Sequence, residues 1–217
     1  MKKFILALSI FVLGLTSVAQ AQEFGVYRIT IKNLTKGQFI TPPLIAIHDS
    51  AYKLFTLGDP ASPGLQVLAK DGATALLQAE LGAVPSVYNI VAGTAATAPA
   101  GGESEVFFAG ATTVDLSIVA MLASTNDAFM GGRGLSLNLQ VGQQNETFLK
   151  VYDAGAEDNI EACIYIPGTP CTGNDSDTET NEGFVHPHPG LAFNGDLTPL
   201  QHAFASTVAK VTILRVE

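Results

Sequence analysis

The stretch Gly25-Val-Tyr-Arg-Ile-Thr-Ile-Lys-Asn33 alternates apolar and polar side chains. In an extended chain, Tyr27, Ile29 and Ile31 fall on one face, and the charged and hydroxyl side chains between them fall on the other. A strand with one apolar face must bury that face against another layer. The stretch therefore predicts a sheet that packs one side on a core.

Further strand patterns follow along the chain, separated by turn residues. They are Pro42–Asp49, Glu103–Phe108, Val114–Leu122, Leu135–Leu139, Thr147–Tyr152 and Ala205–Val216. Seven or so short strands with turn signals between them predict an all-β protein, an antiparallel β-sandwich.

The segments between these strands have other patterns. Leucines recur at helical spacing between Pro60 and Leu81, which predicts a short helical insertion packed on the sheet. Ala92–Gly102 has loop composition, and the glycine-rich Met130–Gly134 predicts a turn. The range 153–200 is rich in Gly, Pro and acids and predicts a long loop region, which is typical of a functional segment.

The N-terminus has the features of a signal peptide. Two lysines precede the apolar run Phe4–Leu15, and Ala19-Gln20-Ala21 is a small-x-small cleavage site. We expect residues 1–21 to be removed on export and residues 22–217 to form a single domain of a secreted or periplasmic protein. The apolar run is too short for a spanning anchor, so no transmembrane segment is expected in the mature chain.

The chain is acidic, with 11 Lys and Arg against 20 Asp and Glu and a formal net charge of −9. Removing residues 1–21, which hold two lysines and no acids, leaves 9 against 20, or −11. Nucleic-acid binding depends on clustered basic side chains, so nucleic acid is excluded as a partner. The acidity favours cation binding, or it serves solubility alone.

The two cysteines, Cys163 and Cys171, lie in one short stretch. In an oxidising compartment, such an isolated pair predicts a local disulfide. A metal site would need further soft ligands nearby, and the spacing is not CxxC.

Two acidic loops each follow a predicted strand. One is Ser124-Thr-Asn-Asp127, and the other is Asp153-Ala-Gly-Ala-Glu-Asp158. If the two strand ends lie side by side, the carboxylates converge and repel, and Ca²⁺ removes that cost. The candidate ligands are Asp127, Asp153, and Glu157 or Asp158. The alternative is that these side chains only form Asx-turns and caps.

Several stretches, taken in order, resemble the spondin N-terminal domain family. They are YRITIKNLT, then PPLIAIHDSAYKLFTLGDPAS followed by the Gly-Leu-Gln-Val-Leu-Ala helix, then STNDAFMGGRGLSL, and then VYDAGAEDN. The similarity covers most of Gly25 to about Asn159, plus the closing strand. This family occurs in extracellular matrix and adhesion proteins and in small exported bacterial proteins.

The resemblance implies an eight-stranded, C2-like antiparallel sandwich with one bound calcium ion. The family's ligands lie in a Ser-Pro-Asp-Trp-like motif and in Tyr-Asp-Ala-Gly-Thr-Asp. Carried over to this sequence, they are Asp127, Asp153 and Glu157. Asn126 and Ala128 stand where the family often has Pro and Trp. Glu157 replaces an Asp and has Asp158 beside it, so either acid is a candidate for the third ligand.

A second candidate metal site is built on histidine. His186 and His188 lie two apart in the extended, proline-stiffened segment 184–190, and His202 follows. Three imidazoles, or two with an acid, would suit Zn²⁺ or Cu²⁺, and an open position would permit hydrolysis. The acids considered are Asp175, Asp177 and Glu182. Alternatively, the segment is simply an exposed loop.

Three functions therefore stay open. The first is an exported calcium-binding recognition or adhesion module without catalytic activity, in which Ca²⁺ orders loops at one end of the sandwich. Its partner would be an extracellular or envelope protein, glycan or lipid. The second is an exported transition-metal-dependent enzyme or metal-binding protein that uses the histidine segment. The third is a passive structural or matrix-associated protein.

Overall fold

A computed structural model describes residues 23–173, 178 and 180–217. The predicted signal peptide and the acids Asp175 and Asp177 lie outside the described residues. The elements are β1 (Phe24–Asn33), β2 (Leu44–His48), α1 (Pro63–Asp71), α2 (Ala75–Gly82), β3 (Val87–Ala92), β4 (Glu103–Ala111), β5 (Asp115–Met121), β6 (Ala128–Ser136), β7 (Gln144–Asp153), a 3₁₀ turn (Cys163–Tyr165), β8 (His186–Pro187), α3 (Pro199–His202) and β9 (Thr207–Arg215).

The strands pair in the order β3-β2-β5-β6-β7-β9-β1-β4, and β8 also pairs with β7. Every pairing is antiparallel. Ile29 of β1 belongs to the same buried cluster as Ile45 of β2 and Ile118 of β5, although β1 is not a neighbour of β2 or β5 in this order. The sheet therefore folds over itself around a shared core, which confirms the predicted all-β sandwich.

The predicted helical insertion covers the outer face of β2 and β5. Leu44 and Val119 point into a second buried cluster with Leu65 of α1 and Leu77 of α2. Both β2 and β5 are thus buried on two sides. Helix α1 begins where the Ser62 Oγ accepts a hydrogen bond from the Leu65 N–H at 3.3 Å, as an N-cap residue does.

Two sequence predictions are wrong at strand β6. Met130–Gly134 lies inside β6 and is not a turn, and the predicted strand Leu135–Leu139 leaves the ladder after Ser136. For the first of these, the glycines are explained by close packing, because a Cβ on Gly131 would lie 2.8 Å from Cζ of Phe55. Glycine in a strand often marks such a close approach.

Strand β3 was not predicted. It lies at one end of the strand order, where its side chains are partly buried or exposed. The periodic burial that identifies an amphipathic strand is therefore weak there.

Where the structure describes it, the predicted long loop region contains only short elements. Cys163 and Cys171 are joined, which confirms the predicted disulfide. Ile166, Cys171 and Leu197 form a small buried cluster beside it. The loop region therefore has a local core of its own.

Candidate metal centre

Sheet register brings the first two predicted calcium ligands together. Asp127 directly precedes β6, and Asp153 ends β7. Ala128 is the register partner of Asp153, and the Ala154 N–H donates to the Asp127 carbonyl oxygen at 3.2 Å. Both carboxylates are fully buried, at 0% exposure.

The Asp127 carboxylate is only half satisfied. Its Oδ2 accepts hydrogen bonds from the N–H groups of Ala156, at 2.6 Å, and Glu157, at 3.1 Å. Its Oδ1 is buried and has no hydrogen-bond partner. An unpartnered buried carboxylate oxygen is costly, and the chemistry that most readily satisfies it is a cation.

Asp153 is held by the loop that follows it. Its Oδ1 accepts from the Gly155 N–H at 2.7 Å, and its Oδ2 accepts from Asn159 Nδ2 at 2.5 Å. Gly155 has φ +65°, in the left-handed region that glycine adopts without strain. A tight turn at Gly155 therefore folds the loop back over Asp153.

The electrostatics of the pair favour a positive charge. Burial, and then the Asp153 charge, raise the pKa of the Asp127 carboxyl to about 8, although the two N–H bonds act to lower it. Burial and Asp153 also raise the pKa of Glu182. The donor set therefore fits a divalent cation, whose charge would replace the proton.

The structure separates the two candidates for the third ligand. Glu157 is 3% exposed, and its Oε2 accepts from Asn126 Nδ2 at 3.3 Å. The Asp158 carboxylate accepts a hydrogen bond from the Thr180 hydroxyl, and its backbone N–H donates to Thr178 Oγ1 at 2.9 Å. Glu157 thus lies in the buried loop beside Asp127, whereas Asp158 is engaged by Thr178 and Thr180.

Two residues later in the chain, Glu182 and His186, join the carboxylates. His186 is the register partner of Asp153 across the β7–β8 pair, on the side of Asp153 opposite Ala128. The Gly183 N–H donates to the Gly155 carbonyl oxygen at 2.9 Å, which brings Glu182 alongside. Asp153, Glu182 and His186 each offer a ligand atom, and these atoms all lie within 4.8 Å of one another.

The three predicted histidine ligands are not gathered into one site. His188 Nδ1 accepts from the Gly190 N–H and its Nε2 pairs with Asn159 Oδ1, both at 3.0 Å. Burial lowers the pKa of His188 to about 4, so this ring is neutral near pH 7. His202 Nδ1 accepts from the Thr198 N–H at 3.1 Å, in the helical turn α3. Among the described residues, neither imidazole belongs to a three-donor group.

Asn159 was missed by sequence reasoning. Its amide forms hydrogen bonds with Asp153, Glu182 and His188, and so links these three side chains. The only sequence signal was its place at the end of VYDAGAEDN, because an Asn in a loop is usually a turn residue.

Comparison with known proteins adds a family assignment. A family model described as Spondin_N matches residues 36–176, well over half of the 217-residue chain. A search of curated proteins finds no match. Within the described residues, no helix has the length and apolar character needed to cross a membrane. On the extent of the family match, the chain belongs to the Spondin_N family.

Proposed function

We propose that this protein is an exported, non-catalytic calcium-binding module for recognition or adhesion. The observation that carries the proposal is Asp127 Oδ1, a buried carboxylate oxygen that accepts no hydrogen bond. It lies beside the fully buried Asp153. Two such carboxylates destabilise the fold unless a cation compensates them.

The ion would be held by Asp127, Asp153 and Glu157. Calcium accepts about six to eight oxygens in flexible geometry, including backbone carbonyls and waters. That tolerance suits carboxylates that already accept backbone hydrogen bonds, as Asp127 does. The bound ion supplies positive charge, and the protein's contribution is to hold two loops from different strands against it.

The proposed role for these loops is a recognition surface at one end of the sandwich. Family membership suggests an extracellular domain, and the Cys163–Cys171 disulfide suits an oxidising compartment. The partner would be an extracellular or envelope protein, glycan or lipid. The strong negative charge of the chain disfavours direct contact with an anionic surface unless calcium bridges the two.

A thermal melt of the purified, chelator-stripped protein tests the proposal. A ligand that binds only the folded state raises its stability, by about 2.7 kcal/mol at a free concentration of 100 Kd. We expect Ca²⁺ to raise the melting temperature of the wild type and not that of Asp153→Asn. Glu105→Gln is the matched control, since Glu105 is an exposed carboxylate on β4. The same melting temperature in EDTA and in Ca²⁺ for the wild type would overturn the proposal.

A further inference from the structure

Asp153, Glu182 and His186 form a donor group of a different kind from the calcium loops. One imidazole and two carboxylates have ligand atoms within 4.8 Å of one another. Glu182 and His186 both lie beyond residues 36–176, the part of the chain that the family match covers. Their presence at the site is therefore a property of this chain and not one that the match supplies.

The orientation of His186 suits a metal ligand. Its Nδ1 lies 3.1 Å from the Pro187 carbonyl oxygen, which can only accept, so Nδ1 carries the hydrogen. In the neutral ring, Nε2 then has its lone pair free, and it lies 3.5 Å from Asp153 Oδ1. A lone pair that faces a carboxylate is unfavourable unless a positive charge lies between them, and either a proton on Nε2 or a metal ion supplies that charge.

Two members of this donor group carry unpartnered atoms. Nε2 of His186 and Oε2 of Glu182 are both buried, and neither has a hydrogen-bond partner. Buried polar atoms in folded proteins are nearly always satisfied, so two unpartnered atoms in one donor group call for a shared partner.

The spacing and the donor types select the kind of ion. Two donors bound at about 2.0–2.1 Å in a tetrahedral arrangement lie roughly 3.3–3.5 Å apart, close to the separation of His186 Nε2 and Asp153 Oδ1. Imidazole suits Zn²⁺ and its neighbours, whereas Ca²⁺ and Mg²⁺ take oxygen ligands. A metal-bound histidine commonly donates its other N–H to a backbone carbonyl, as His186 does to Pro187.

Asn159 completes the surroundings of the site. Its Nδ2 donates to Asp153 Oδ2 at 2.5 Å and to Glu182 Oε1 at 3.3 Å. Of the other two oxygens, Glu182 Oε2 has no hydrogen-bond partner, and Asp153 Oδ1 accepts from the Gly155 N–H and lies 3.5 Å from His186 Nε2. Such supporting hydrogen bonds orient ligands in metal sites. We propose that Asp153, Glu182 and His186 bind a divalent transition cation of the Zn²⁺ class, at a position that shares Asp153 with the calcium site.

The test is a calorimetric titration of chelator-stripped protein with ZnCl₂, repeated with CoCl₂ and read by visible absorption. We expect His186→Gln to weaken Zn²⁺ binding by at least about 10-fold and to change the Co²⁺ spectrum. His202→Asn is the control, because an Asn oxygen can replace Nδ1 as the acceptor of the Thr198 N–H. Melts without metal show whether each variant folds.

The same variants distinguish the Zn²⁺ proposal from the calcium proposal, and the Zn²⁺ proposal does not depend on the calcium proposal. We expect the Ca²⁺-induced rise in melting temperature to survive in His186→Gln and to be lost in Asp127→Asn. Wild-type affinity for Zn²⁺ in His186→Gln would mean that His186 forms only an ion pair with Asp153, and the proposal would fall. The Zn²⁺ proposal would also be contradicted if His202→Asn weakened Zn²⁺ binding as much as His186→Gln does.

Discussion

Asn126 Nδ2 lies 3.3 Å from Oε2 of Glu157, so a residue of the first acidic loop holds a predicted ligand of the second. Asn126 Oδ1 also accepts from the Glu161 N–H at 3.1 Å, and Asn126 is almost fully buried. The family often has proline at this position, and proline offers no side-chain donor or acceptor. Asn126 therefore joins the first acidic loop to the segment after Asp153 by side-chain hydrogen bonds.

Removing that amide should destabilise the loops. We expect Asn126→Ala to cost about 1–3 kcal/mol of unfolding free energy, because a buried N–H of Glu161 loses its acceptor. Urea denaturation measures the change. Asn138→Ala is the control, since Asn138 is exposed. Equal costs in the two variants would show that the amide of Asn126 does not hold the loops.

Asp127→Asn should have opposite effects with and without calcium. The amide oxygen can still accept the Ala156 and Glu157 N–H groups, and the buried charge beside Asp153 is gone. We expect the metal-free variant to be about 1–3 kcal/mol more stable than the wild type near pH 8. Its stability should no longer rise with Ca²⁺. Urea denaturation in EDTA and in Ca²⁺ gives both numbers, and a variant that is less stable than the wild type in EDTA contradicts the proposed repulsion.

The metal-free protein should lose stability as pH rises from about 4 to 8. The pKa of Asp127 is raised to about 8 in the folded chain, from an ordinary value of 3.8. Between these two values the folded state binds more protons than the unfolded state, so each added pH unit lowers the unfolding free energy, by at most about 1.4 kcal/mol. The stabilising contribution is complete below pH 4 and is lost as pH rises through 8. Glu182, whose pKa is also raised, adds to the same trend.

Denaturation midpoints measured in EDTA across this pH range check the sign. Asp127→Asn should flatten the slope, because it removes the main titrating group. Calcium must displace the bound proton, so its affinity should rise between pH 6 and pH 8. A slope that is identical in the wild type and in Asp127→Asn would show that other groups control it.

Local sequence pattern was sufficient to predict strands that have one clearly apolar face. The alternation of β1 placed Tyr27, Ile29 and Ile31 on the buried face, and all three are 0% exposed. Asp127 and Asp153 are also close together, as expected, but not because their predicted strands are neighbours. The loop after β5 leads directly into β6, which lies between β5 and β7, and the β6–β7 register places Asp127 beside Asp153.

The remaining features depend on contacts between distant segments. Strand β8 consists of two residues, His186 and Pro187, and exists only because β7 pairs with it. No local periodicity could select His186 over His188 as the partner of Asp153. Similarly, Gly131 is a turn residue by local pattern, but it lies inside a strand where the rings of Phe55 and Tyr152 leave no room for a side chain. Tertiary packing overrides local preference at both places.

The disulfide should stabilise the loop region more than the sandwich. A bridge that closes a loop this short contributes about 2–3 kcal/mol in the chain-entropy model. In the double variant Cys163→Ser/Cys171→Ser, we expect faster hydrogen exchange around Ile166 and Leu197, which share the small buried cluster with Cys171. Exchange in β1 should stay unchanged, and reduced wild type should match the variant. A uniform loss of protection would instead make the bridge part of the global fold.

The glycine inside β6 should be intolerant of any side chain. A Cβ at Gly131 would lie 2.8 Å from Phe55 Cζ and 2.9 Å from Tyr152 Cδ2, so both rings would have to move. We expect Gly131→Ala to cost about 1–3 kcal/mol in urea denaturation, through overpacking. Gly82→Ala is the matched control, because the nearest atom, Ile90 Cδ1, is 3.9 Å away and alanine favours a helix. Gly131 pairs with Lys150 at the end of the β6–β7 ladder, so the same change should also weaken Ca²⁺ binding by disturbing the alignment of these strands. Equal stability of the two variants would show that β6 accommodates the methyl group and that packing does not require glycine there.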